Sequence, residues 1–208
     1  VTHIALFHSV YGLRPAVLAA ADRLRAAGHQ VVTPDLYDGQ VATTVDEGFA
    51  LSERIGWPMI MQRARESVRD LPAGTVLAGL SMGTGVVSGL LAERRETTGL
   101  LLLHGTGGEL MPLRAGLPVQ LHIAQPDEYF SEADVTTWRT ATAEAGAAVE
   151  VFTYPGVRHL FTDPEAADPK TADPEAADPK TADPGTAVLD EVAAARLWQR
   201  SLEFLDRI

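Results

Sequence analysis

The sequence predicts an α/β fold: a mostly parallel sheet of about six or seven strands with helices on both faces, forming a three-layer sandwich. Two observations carry that expectation. Short apolar runs rich in strand formers alternate with segments of helical period, and the connections between them are tight. A third bounds it, since 208 residues that are 46% hydrophobic and 22% charged suit one well-cored domain and leave little room for two. The expected organisation is therefore a single domain over residues 1–208 with one low-complexity insertion.

HIALFHSV reads as a buried first strand, and YGLRP turns the chain out of it. From Pro15 to Ala27, Val17, Leu18, Ala21, Leu24 and Ala27 recur at helical spacing, with Pro15 in the first turn and Gly28 as a C-terminal cap. QVVTP is the second strand, which completes a βαβ unit. The alternation continues with a helix over Pro58–Leu71, a strand over Thr75–Leu80, a helix over Gly83–Glu93 and a strand over Gly99–His104. Strands over Pro118–Ala124 and Ala148–Tyr154 follow, around a helix near Glu132–Ala145, and a closing helix runs from about Val188 to Leu205. Tyr37 to Leu51 shows no clear period and reads as loop with room for a short helix.

Residues 163–187 break the pattern as five copies of a five-residue unit, DPEAA DPKTA DPEAA DPKTA DPGTA. A proline every five residues excludes a continuous helix, and the segment reads as a solvated loop. It carries five Asp, two Glu and two Lys, a net of −5 within the chain total of −11. An acidic chain disfavours nucleic acid and anionic membrane surfaces as partners. The absence of cysteine excludes disulfides, thiolate metal sites and a cysteine nucleophile. No apolar run is long enough for a membrane span and no basic leader precedes the first strand, so the expected location is the cytoplasm. A small-molecule substrate is the expected partner, with the chain a monomer or small homo-oligomer.

The chemistry concentrates in three places. GLSMG, Gly79 to Gly83, fits G-x-S-x-G between an apolar strand and a helix, where a serine sits on a sharp strand-to-helix turn and the helix amides face developing negative charge. Serine needs a base. Of six histidines, His3, His8, His104 and His122 fall in or at the ends of strand-like runs and His29 follows a helix cap. His159, in YPGVRHLF after the last strand, occupies the place of the base in a serine, acid, histidine chain order. Between them, Asp127 lies in a loop after a strand, 46 residues after Ser81 and 32 before His159, with Glu128 as its nearest rival.

With those residues placed, the chain resembles the dienelactone hydrolase family, a compact branch of the α/β-hydrolase superfamily. The resemblance rests on HSVYGLRP, VVTPDLYDG, GLSMG, the Asp127 loop and YPGVRHLF, and covers most of the chain. It implies Ser81, Asp127 and His159 as catalytic residues, an oxyanion hole from the backbone amides of Met82 and Val10, and no metal or organic cofactor. Two departures stand out. The name-giving members use cysteine where this chain has Ser81, with a controlling glutamate where it has Ser9, and an arginine shortly after the histidine where it has Asp163. The expectation is serine-esterase chemistry on a carboxylic ester or lactone other than a dicarboxylate. The alternatives are an acyltransferase or other non-hydrolytic enzyme on the same residues, or a catalytically inactive binding protein of the same fold.

Overall fold

A computed structural model describes residues 1–108, 113–166 and 184–208, with side chains in the last stretch from Asp190 onward. Among the described residues six strands form one sheet: β1 (His3–Phe7), β2 (Gln30–Val32), β3 (Val76–Leu80), β4 (Leu100–Leu103), β5 (Pro118–Gln125) and β6 (Ala148–Pro155). Every neighbouring pair is parallel, in the order β2-β1-β3-β4-β5-β6. The helices are α1 (Pro15–Ala26), α2 (Val45–Ile55), α3 (Trp57–Val68), α4 (Met82–Leu90), α5 (Glu132–Glu144) and α6 (Pro184–Leu205).

The central strands are buried on both faces, which is why they read as apolar runs without alternation. Successive residues serve opposite layers. Ile4, Leu6, Ala78, Leu101 and Leu103 pack with Val17, Leu24, Leu197 and Trp198 of α1 and α6. Ala5, Phe7, Leu77, Leu100 and Leu102 pack with Leu51, Ile60, Val86, Leu90 and Trp138 of α2 to α5. The expected three-layer arrangement is therefore observed with six strands. Gly28 ends α1 as expected: its φ of +96° suits glycine, and the His29 N–H reaches back to the Leu24 carbonyl at 3.3 Å.

Three expectations need correction. The stretch read as loop with room for a short helix, Tyr37 to Leu51, instead holds the first two turns of α2, which runs on to Ile55 and is started by a capping box in which the Thr44 hydroxyl accepts the Glu47 N–H at 3.2 Å and the Glu47 carboxylate accepts the Thr44 N–H at 3.3 Å. The closing helix begins at Pro184, inside the fifth repeat copy, where proline is tolerated because the first helical turn needs no N–H partner. The repeat is also not solvated from its start: Asp163 and Ala166 are 5% and 4% exposed. Residues 167–183, the body of the repeat, lie outside the described residues.

A buried polar chain crosses the sheet. His122 Nδ1 lies 2.7 Å from the Tyr154 hydroxyl and Nε2 2.8 Å from Gln120 Oε1, while the Gln120 amide donates to Glu150 at 2.8 Å. Burial holds His122 at a pKa of about 3 and pushes those of His8 and His104 below the ordinary value as well. The unfolded chain binds these protons below pH 6.5 and the folded one does not, so stability is present above that value and is lost as pH falls toward 3. His122 alone should contribute a decline on the order of 1 kcal/mol for each pH unit in that window. Urea unfolding at pH 7 and pH 5 checks this, with a shallower decline expected in His122→Gln.

Candidate active site

Ser81 joins β3 to α4 with φ +50° and ψ −111°, a conformation outside the normal range for a side-chain-bearing residue. Its neighbours explain the two glycines of GLSMG. A Cβ on Gly79 would lie 2.3 Å from the Gly83 carbonyl, and one on Gly83 would lie 2.4 Å from the Phe7 carbonyl oxygen. The Ser81 N–H is fixed to the Leu103 carbonyl at 2.8 Å, tying the turn to β4.

The structure brings the three predicted side chains into one hydrogen-bonded chain. Ser81 Oγ is 2.9 Å from His159 Nε2, and His159 Nδ1 is 2.9 Å from Asp127 Oδ2. The second Asp127 oxygen accepts the Tyr129 N–H at 2.9 Å, so the carboxylate is oriented and acceptor-only toward the imidazole. A proton on Nδ1 leaves the Nε2 lone pair facing the serine hydroxyl. The Asp127 side chain is fully buried and that of His159 is 8% exposed, so little water competes for these bonds. Tyr129 packs edge-on against the imidazole, with centroids 4.7 Å apart. Glu128, the rival acid, instead lines the cleft in front of Ser81.

The predicted oxyanion donors, the N–H groups of Val10 and Met82, have no acceptor among the described residues. Both residues border a cleft of about 400 Å³ that also exposes Ser81 and His159. His8, which looked like an ordinary strand-end residue, controls the Val10 peptide. Its Nε2 accepts the Leu36 N–H at 3.1 Å, which places the proton on Nδ1, and Nδ1 lies 2.7 Å from the Ser9 carbonyl oxygen. A trans peptide points its N–H opposite its C=O, so holding the Ser9 carbonyl aims the Val10 N–H. The PDLY segment supplies that Leu36 contact, and its Tyr37 hydroxyl donates to Met82 Sδ at 3.1 Å.

The loop carrying His159 is held by ion pairs that sequence reasoning missed. Asp163 receives Nε and Nη2 of Arg14 at 2.9 and 2.5 Å, and both side chains are below a tenth exposed. Arg158 pairs with Asp190 of α6 at 2.6 Å and also donates to the carbonyls of Asp163 and Ala166. Asp163 therefore neutralises Arg14. Of IGWPMIM, Trp57 faces the cleft while Ile60 and Met61 are buried in the layer beneath.

A parallel sheet with helices on both faces, a serine on the strand-to-helix turn and an acid and a histidine in later loops define an α/β-hydrolase fold. The chain belongs to the dienelactone hydrolase family, whose sequence pattern it matches over residues 1–208. Among solved structures it is similar to a dienelactone hydrolase-like promiscuous phosphotriesterase from metagenomic libraries, with 20% identity, a TM-score of 0.68, and 99% of this chain and 86% of the other covered. It is also similar to a dienelactone hydrolase from Anabaena variabilis (21% identity, TM-score 0.59, 99% and 86% covered). A phospholipase/carboxylesterase from Dyadobacter fermentans aligns at 16% identity and TM-score 0.54 over 79% and 85% of the two chains. No curated protein sequence matches.

Removing Asp163 alone should leave Arg14 buried without a counter-ion. Asp163→Ala is expected to cost about 3–5 kcal/mol of unfolding free energy, whereas the paired apolar replacement Arg14→Met with Asp163→Leu should recover most of it. Urea denaturation of the three proteins checks the order.

Proposed function

We propose that the protein is a serine hydrolase of carboxylic esters or lactones, with Ser81 as nucleophile, His159 as general base and acid, and Asp127 as the group that orients the imidazole. The observation that carries this reading is the continuous hydrogen-bonded chain from Asp127 through His159 to Ser81, opening on a cleft. As Ser81 Oγ attacks the carbonyl carbon, its proton passes to His159 Nε2, and the carbonyl π electrons move onto oxygen. The Val10 and Met82 N–H groups receive that oxyanion, and they act on charge absent from the ground state. Collapse expels the alcohol, which takes the proton from His159, and leaves an acyl group on Ser81. Water then attacks the acyl carbon while His159 takes its proton, and a second collapse frees the acid and restores the serine.

Labelling with a fluorophosphonate tests the nucleophile. The wild-type protein should be modified at Ser81, and Ser81→Ala should lose both labelling and nearly all turnover of phenyl acetate while keeping its melting temperature within a few degrees. Undiminished turnover in the purified variant overturns the assignment.

His8 acts through the Ser9–Val10 peptide and touches no reacting atom, so its effect should appear in the rate step. His8→Ala is expected to lower kcat by about 10- to 100-fold with KM little changed, and to weaken a trifluoromethyl ketone inhibitor in parallel. His8→Asn keeps a side-chain N–H near the Ser9 carbonyl and should restore part of the loss. A variant with reduced stability but unchanged kcat would show that His8 serves packing alone.

A further inference from the structure

Each of the two N–H groups that would receive the oxyanion in the proposed reaction shares a peptide with a carbonyl, Val10 with Ser9 and Met82 with Ser81. In a trans peptide the two groups point opposite ways, so whatever holds the carbonyl aims the amide. His8 holds the first. The second has a buried side chain of its own, Thr84, whose hydroxyl donates to the Ser81 carbonyl at 2.6 Å. The Thr84 N–H reaches the same oxygen at 2.9 Å, so one residue supplies donors to both lone pairs of that carbonyl.

The surroundings leave this peptide one freedom, and Thr84 acts on it. On one side the Ser81 N–H is bonded to the Leu103 carbonyl at 2.8 Å. On the other, the Met82 side chain is tied by its sulfur, which accepts the Tyr37 hydroxyl at 3.1 Å and has the Ser52 hydroxyl at 3.9 Å. A peptide pinned at both ends can still swing about the line joining its Cα atoms, which carries its oxygen and its hydrogen in opposite directions. A bond to the oxygen stops that swing. The backbone bond from Thr84 is a loose constraint by itself, because the first turn of a helix passes between i+3 and i+4 pairing.

The hydroxyl is also shielded from water. Thr84 is 1% exposed, and its Oγ1 lies so close to the chain leaving β4 that a Cβ on Gly105 would stand 2.9 Å from it. A helical threonine often returns its hydroxyl to the carbonyl three or four residues back. Here that carbonyl belongs to the peptide joining the nucleophile to an oxyanion donor.

We infer that Thr84 is a positioning residue for the ester hydrolysis proposed above: its hydroxyl fixes the Ser81–Met82 peptide and so directs the Met82 N–H at the oxyanion. The inference rests on the ester-hydrolase reading. An oxyanion donor acts on charge that develops only as the carbonyl is attacked, so the effect of aiming it belongs to the rate step and not to substrate binding.

Two pairs of side chains isolate the hydroxyl, threonine against valine and serine against alanine. On phenyl acetate, kcat should follow the hydroxyl: Thr84→Ser within about threefold of the wild type, Thr84→Val and Thr84→Ala lower by about 10- to 30-fold, and KM within about twofold throughout. Affinity for trifluoroacetophenone, whose adduct with Ser81 carries the same oxyanion, should fall in parallel in Thr84→Val and Thr84→Ala and hold in Thr84→Ser. Unchanged kcat and inhibitor affinity in Thr84→Val, or a loss in Thr84→Ser as large as in Thr84→Ala, overturns the inference while leaving ester hydrolysis in place. Should Thr84→Val or Thr84→Ala fail to fold, the other pair decides by the same criterion; failure of both overturns the inference, because the hydroxyl then serves stability. No turnover of phenyl acetate together with no fluorophosphonate labelling of Ser81 in the wild-type protein overturns the ester-hydrolase reading and this inference with it.

Discussion

The first turn of α4 lies directly on the backbone at the ends of β1 and β3, with no side chain between them. That contact requires glycine at 79 and 83, since a Cβ at either would come within 2.4 Å of another backbone atom. It also sets the conformation of Ser81, whose positive φ is maintained because the chain must leave a buried strand and enter a helix within one residue. Several properties of the site follow from it together. The serine hydroxyl projects from the carboxyl edge of the sheet, the Met82 N–H is left without an intrahelical acceptor, and the β1 end is held near enough for the Val10 N–H to border the same cleft. Were α4 displaced outward by the width of a methyl group, these would no longer meet at one point.

A second constraint acts on the opposite side, where His159 must be held with hydrogen-bonding accuracy by a loop rather than a strand. Residues 158–166 are fastened from two directions, by Arg14 at the start of α1 and by Asp190 in α6. Ion pairs of this kind contribute little net stability once desolvation is counted, but they are strongly directional because a lone partner is costly. Arg158 also donates to the carbonyls of Asp163 and Ala166, the first of which accepts the Ala166 N–H at 3.1 Å as well. The loop is thereby rigid enough to hold a 2.9 Å contact to a serine 78 positions earlier in the chain.

Much of this was legible in the sequence because the signals are local. Apolar runs and helical spacing predict the parallel sheet, and GLSMG between strand and helix predicts the turn at Ser81. What was missed depends on partners distant in sequence. Helix α2 lacks a clean period because its residues answer to different surroundings: Gly48 abuts the Val10 backbone, Leu51 enters the core, and Phe49 faces the cleft. Its capping box, Thr44 with Glu47, was the available local signal. Asp163 looked solvated because it begins a repeat rich in charge and proline, yet it is buried by an arginine 149 residues away, which composition cannot reveal. The same limit applies to Asp190, which belongs to a helix whose start is obscured by the repeat.

The six histidines show the same distinction between residue type and surroundings. Position along the chain singled out His159, and the physical reason lies in what its two nitrogens meet. His8 spends one nitrogen on a carbonyl and the other on a backbone N–H, so it is locked as a neutral strut. His122 bonds a phenol and an amide inside the sheet, and His104 bonds the Thr162 hydroxyl beneath the site with no partner on Nδ1 among the described residues. Burial without a carboxylate partner disfavours the charged form in all three, and a base that cannot hold a proton cannot deliver one to a leaving alcohol. His159 alone among these four has a carboxylate on Nδ1 and a hydroxyl on Nε2. In the proposed reaction the carboxylate would stabilise the imidazolium as it forms, and the hydroxyl would supply its proton. Imidazole is common to all of them, and among these four only His159 has the pair of neighbours that the proposed reaction needs to move a proton on and off the ring.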